Sequence, residues 1–413
     1  MDNIQLYKAK IRFSYKGLED VVGAVWDQLE NADVDIPEGG EIAVATGSRG
    51  IANIQAIVRT VCDFVKSRGG NPFIVPAMGS HGGATAEGQA AILAEYGITE
   101  ASMEAPVRAS MEVVEIDNTG MPNRVYMDKL AWESDGVILI NRIKPHTDFR
   151  GEIESGLVKM SVIGLGKHAQ ALETHSFNAW GLANLLIPTA ERIFAQNKVL
   201  LGLAILEDAY DQTALVRALL PEDIVREEKE LLLTARAWMP SLPADQIDIL
   251  VVDWIGKNIS GPGMDTNIIG RMMIEGLEDY PRPKIGHIII DDLTEAAHGN
   301  ATGFGLADFM TRKLFDKVDF QATYENILTS TFIQRGKLPM IADNARQAME
   351  WSFRAFGRLN PAQAKIIRIE NTLHLSELYV SKALADELAG NPDIEISDKA
   401  VPLFDSDGDL TAF

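Results

Sequence analysis

Short apolar runs rich in β-branched residues alternate along this chain with longer stretches of helical period, and that alternation constrains the fold more than any other feature. It predicts an α/β protein built on largely parallel sheets. In the N-terminal half the spacing predicts strands at 41–45, 71–75, 111–116 and 136–140. Helices are expected at 51–67, 85–96 and 177–196, the first from apolar residues at Ile54, Ile57, Val58, Val61 and Val65. A second series has strands at 247–252, 284–290 and 365–369 and helices at 266–275, 304–318 and 340–356. Between the two lies Met239-Pro-Ser-Leu-Pro-Ala-Asp245, whose prolines read as a linker. A length of 413 residues also exceeds what one hydrophobic core usually serves. Two domains are expected, 1–243 and 244–413, with the acidic tail at 393–409 able to pack on the first.

Charge and cysteine content narrow the chemistry. Thirty-eight Lys+Arg against 59 Asp+Glu give a net charge of −21, which repels nucleic acid and anionic membrane surfaces. The single cysteine, Cys62, excludes an internal disulfide, a thiolate zinc cluster and an iron–sulfur site. With no basic-then-apolar leader at the N-terminus and no apolar stretch of bilayer length, the expected location is the cytoplasm.

Ligands of open parallel sheets bind beyond the carboxyl ends of the strands. Three first-domain strands there deliver glycine-flanked polar loops: Thr46-Gly-Ser-Arg49-Gly, Met78-Gly-Ser-His81-Gly-Gly, and Asn141-Arg-Ile-Lys-Pro-His146. The second domain repeats the pattern with Asp253-Trp-Ile-Gly-Lys257, Asp291-Asp-Leu-Thr294-Glu-Ala-Ala-His298, and Glu370-Asn371-Thr372. Two such edges facing one another would form an active-site cleft between domains. The pair His81 and His146 suits acid/base work, because imidazole both takes and gives a proton near neutral pH.

Gly164-Leu-Gly166-Lys-His-Ala169 fits G-x-G-x-x-A, but the acidic strand end that a dinucleotide fold needs about 20 residues later is missing. Lys167 and His168 remain candidates for contact with a cofactor phosphate at a loop-to-helix junction. His287 reads as structural, and His374 has no motif around it. Phosphate-loop, zinc-helix and nucleophile-elbow motifs are absent.

The first-domain loops resemble those of the nickel-dependent lactate racemase family, which uses a nickel-pincer nucleotide. Gly79-Ser-His81 resembles its first catalytic histidine loop and Lys144-Pro-His146 its second. Gly156-Leu-Val-Lys159 resembles the segment whose lysine joins the cofactor covalently. His175 stands where the family has its nickel-ligating histidine, and Arg49 where it has a substrate-binding arginine. The resemblance covers roughly residues 40–180 and implies an isomerase: a racemase or epimerase working by proton-coupled hydride transfer, with His81 and His146 as the acid/base pair. Enzymes of cofactor biosynthesis would load it, and a homo-oligomer is compatible with it.

Departures bear on the substrate. In Asp265-Thr-Asn267-Ile-Ile-Gly270-Arg271-Met-Met273, Gly270 and Met273 replace the family's lactate-holding Gln and Lys. That change implies room for a bulkier or more hydroxylated 2-hydroxy acid or sugar acid, with Lys257, Arg271 or His298 supplying contacts. Two other readings stay open: a small-anion or nucleotide-binding protein of the same fold, and a divalent-metal hydrolase with His81, His146 and His175 as ligands.

Overall fold

A computed structural model describes residues 4–47 and 50–413, the side chains of residues 178 and 179 aside. The chain divides into two compact units, Ser14–Met239 and Met1–Phe13 with Pro240–Phe413. Both are α/β with largely parallel sheets, as the alternation predicts.

In the Ser14–Met239 unit the strand order is Asn71–Pro76, Glu41–Thr46, Gly136–Arg142, Val199–Glu207, Thr213–Leu219. All neighbours are parallel except the last pair. Both faces are covered, and the period-2 alternation of a strand sorts residues between them. Ala43, Ala45 and Leu139 enter one core, with Leu157, Ile193 and Leu231. Ile42, Val44 and Ile138 enter the other, against Ile57, Val61 and Phe64 of helix Ile54–Ser67. Cys62 is buried in that helix, which pushes its thiol up to about 12. From Glu41–Thr46 the chain moves first to one neighbour, Asn71–Pro76, and later to the other, Gly136–Arg142. The switch in strand order therefore opens a crevice beyond Thr46 and Arg142.

In the other unit the order is Met340–Ala342, Phe309–Thr311, Lys284–Leu293, Gln246–Ile255, Ile366–Ile369, Glu377–Ser381, Gln5–Ile11, Ile394–Pro402. The first five are parallel, the last three antiparallel. A single cut near 243 therefore misassigns the N-terminus, because Gln5–Ile11 is hydrogen-bonded between Glu377–Ser381 and Ile394–Pro402. The acidic tail likewise gives this sheet its last strand, Ile394–Pro402.

Several predicted elements break up. The helix expected at 177–196 is two, Asn178–Asn184 and Leu186–Phe194. That expected at 266–275 stops at Ile269, where Gly270 turns left-handed at φ 73°. The stretch 304–318 contains the strand Phe309–Thr311 and the short helix Arg312–Asp316. Among the described residues no helix is long and apolar enough to cross a membrane.

Candidate active site

The crevice at the switch point holds a pocket of about 110 Å³ whose described walls, including Gly47, Met78, His81, Asn141, Lys144 and Lys159, belong to the Ser14–Met239 unit. Arg49, the expected substrate arginine, lies outside the described residues.

His81 begins the short turn Gly82–Ala84 and is exposed. Gly82 has φ 65°, and a Cβ there would come within 2.6 Å of the backbone of Gly88 and Gln89. Only glycine lets this loop turn so close to helix Ala86–Glu95.

Residues 144–155 form a loop closed at its base, where Lys144 N–H donates to the Ser155 carbonyl at 2.9 Å. Glu154 anchors its interior. This carboxylate is wholly buried and accepts the His146 backbone N–H at 2.7 Å, the Gly151 N–H at 3.2 Å and Arg236 Nη2 at 2.6 Å. The loop is thereby fastened to helix Pro221–Trp238, which carries Arg236. The His146 ring packs on Phe149, centroids 4.8 Å apart, and its Nε2 is 2.7 Å from Lys159 Nζ.

Hydrogen-bond logic assigns protons here. Asp148 N–H donates to His146 Nδ1 at 3.1 Å, so the neutral ring carries its proton on Nε2. That side of the ring faces the Lys159 amine. His146 is not itself a wall of the pocket and meets it through Lys159.

Lys159 ends the helical turn Leu157–Lys159, which passes into a π-helical turn at Met160–Gly164 and then into helix Lys167–His175. The apolar run before Gly164 is thus helical, and the strand that a dinucleotide fold needs there does not exist. Insertions of this kind favour functional sites. His175 is the last residue of its helix and is exposed on one side. Neighbouring atoms still desolvate its ring and lower its pKa; the Lys159 charge adds to this, and Asp148 opposes it. The lowered pKa favours the uncharged imidazole.

The other expected contacts do not line this pocket. Lys167 is fully buried and its ammonium is committed to Asp128 at 3.0 Å, so no cofactor phosphate reaches it. His168 is exposed and does not line the pocket. In the other unit, Arg271 donates to Asp308 Oδ2 (2.7 Å) and to the carbonyls of Leu306 (3.1 Å), Ile285 (3.1 Å) and Gly286 (2.9 Å). It is a structural staple rather than a substrate contact. Arg271→Ala is expected to cost about 2–4 kcal/mol of stability, since it orphans charge-assisted partners; thermal unfolding measures this, and KM should not move. Gly270 also has a backbone reason, because a side chain at its positive φ would run into the Pro283 carbonyl. The space inferred from its missing side chain is therefore already filled. Lys257 donates to the Gly261 carbonyl at 2.8 Å, and His298 is an exposed left-handed residue at φ 48°. The acidic groups at this second edge are spent on internal pairs: Asp253 with Arg368 (2.7 Å), Asp291 with Lys313 (2.6 Å) and Asp292 with Lys317 (2.6 Å). His287 is structural as expected, bonded to Ser352 Oγ at 2.9 Å beside Phe309 and Phe356.

Sequence reasoning missed Glu154 and Phe149, and it quoted Asn141 and Arg142 within a strand-end loop without giving them a role. Asn141 lines the pocket and donates to the Gly156 carbonyl at 2.8 Å, and Arg142 also lines it while pairing with Glu207. Both directly follow a predicted strand, which was the signal available.

No known protein-family model matches the chain, and no curated protein matches it in sequence. Among solved structures, it is similar to the lactate racemase apoprotein from Thermoanaerobacterium thermosaccharolyticum. The TM-score is 0.54 at 14% identity, over 88% of this chain and 94% of that one. A protein from Thermotoga maritima matches with a TM-score of 0.47 and 13% identity, over 68% of this chain and 72% of that one. The chain has a lactate racemase-like fold.

Proposed function

We propose that this protein is an isomerase, a racemase or epimerase of a 2-hydroxy acid or sugar acid, which works with a nickel-pincer nucleotide attached at Lys159. The observation that carries the reading is the 2.7 Å contact of Lys159 Nζ with His146 Nε2 beside a switch-point pocket that His81 also lines. A binding site alone needs neither an attachment amine nor a histidine pair.

The residues fit the group. Lys159 brings a primary amine to the pocket wall, the group that joins an electrophilic carbon once its proton has left. His175, whose lowered pKa favours the neutral ring, suits nickel. The buried Cys62 offers no thiolate, so sulfur donors would belong to the cofactor. When bound, the group supplies a hydride acceptor, which spares the substrate the loss of a weakly acidic α-proton.

The chain's own part is proton transfer and orientation. One imidazole, His81 or His146, takes the substrate hydroxyl proton while the other serves the mirror-image configuration, each acting as base in one direction and acid in the other. Arg142, paired with Glu207, and Lys144 place N–H donors in the pocket wall, which suits a carboxylate. The hydrolase reading loses support: among the described residues no three His, Cys, Asp or Glu gather as a metal site, and His81, His146 and His175 do not.

The test is the intact denatured mass of protein produced with nickel and the pincer-cofactor biosynthesis enzymes, compared with protein produced alone. A nucleotide-sized addition is expected in the wild type and none in Lys159→Ala. Unmodified wild type, with a lactate racemase loaded in parallel, would return the anion-binding reading to the front.

A further inference from the structure

We propose that Lys167, acting through Gln89, is the positioning residue of the His81 loop. The proposal rests on the acid/base role given above to His81.

Lys167 has no exposed surface and is among the largest fully buried side chains. Its ammonium sits 3.0 Å from Asp128 Oδ2, donates to the Pro76 carbonyl at the end of strand Asn71–Pro76, and donates to Gln89 Oε1 at 3.2 Å. Asp128 is held in turn: its Oδ1 accepts the Ala131 N–H at 3.0 Å and its own N–H donates to the Leu165 carbonyl at 2.7 Å. Gln89, also wholly buried, donates from Nε2 to the Gly79 carbonyl at 2.8 Å and the His81 carbonyl at 3.3 Å.

The chemistry gives this chain a direction. A primary amide is nearly symmetric in shape, so its oxygen and nitrogen are told apart only by their partners. An ammonium can only donate, so it takes the amide oxygen and turns both N–H groups toward the loop. Those two donors hold the carbonyls on either side of Ser80, and the loop reaches His81 from a strand end that the same ammonium also holds. A buried ion pair returns little net stability, because desolvation offsets its attraction. Burial lowers the Lys167 pKa while Asp128 opposes the change. The gain from the pair is orientation.

Gln89→Leu removes the donors, and Gln89→Glu, close in shape and still an acceptor for Lys167, removes them without emptying the site. Amide exchange at His81 and Ala84, whose N–H groups donate within the loop to Met78, Ser80 and His81 carbonyls, is expected to quicken about tenfold in both variants. The His81 imidazole resonances should shift while those of His287 stay put. In the loaded enzyme kcat should fall about tenfold with KM within about twofold, the pattern of a misplaced catalytic group. Wild-type exchange and unshifted His81 resonances in Gln89→Glu would overturn the proposal, even if Gln89→Leu does not fold. The acid/base reading fails separately, through full turnover in His81→Ala, which leaves the exchange result to decide the loop.

Discussion

Alanine at His81 is expected to lower turnover by about 10²–10⁴-fold, the usual contribution of a positioned acid/base group. The side chain is exposed at the start of the Gly82–Ala84 turn, so its loss should leave unfolding within about 0.5 kcal/mol of the wild type. A rate effect without a stability effect separates chemistry from packing. His146→Ala should lose activity to a similar degree and also slow cofactor attachment, because its Nε2 contacts Lys159 Nζ at 2.7 Å. Rates with single stereoisomers, measured in both directions, would assign each histidine to one configuration. Full activity in both variants would remove the pair from the mechanism.

Glu228→Gln is expected to stabilise the protein at alkaline pH. Glu228 is fully buried on helix Pro221–Trp238, and its carboxylate accepts the Val158 N–H at 3.0 Å together with the Leu157 N–H. These open the helical turn that ends at Lys159, whose N-cap, Gly156, has no side chain to cap it. Burial pushes the carboxyl up to about 8 from its ordinary 4.5, and the two backbone donors oppose the shift. Between those values the folded chain holds a proton that the unfolded chain has released. The contribution is complete below pH 4.5 and is lost as pH rises through about 8. Glutamine carries the neutral form at every pH, so the variant should gain up to roughly 3–5 kcal/mol over the wild type above pH 8.5 and little at pH 5. Thermal unfolding at the two pH values measures it; an equal difference at both would place the ordinary value on Glu228.

The sequence by itself determined the parts of this protein that neighbours along the chain specify. Alternation of Ile42 and Val44 with Ala43 and Ala45 makes a two-faced parallel strand, the Ile54–Val65 spacing makes the helix behind it, and polar loops at strand ends follow from parallel connections. Those loops are where His81, Asn141 and Lys144 line the pocket.

What only the tertiary structure decided is which polar side chains turn inward. Glu152 and Glu154 stand two residues apart with similar neighbours, yet Glu152 is exposed beside Lys229 while Glu154 is buried under His146. Arg236, 82 residues away, makes the difference. Lys167 reads as a ligand contact in its local motif and becomes an internal cation because Gln89, 78 residues earlier, and Asp128 meet it. Gln5–Ile11 joins the C-terminal unit through partners at the far end of the chain. Local pattern carries period and turn chemistry, but a buried charge or an edge strand is settled by the partner that satisfies it, and that partner is set only when distant segments pack.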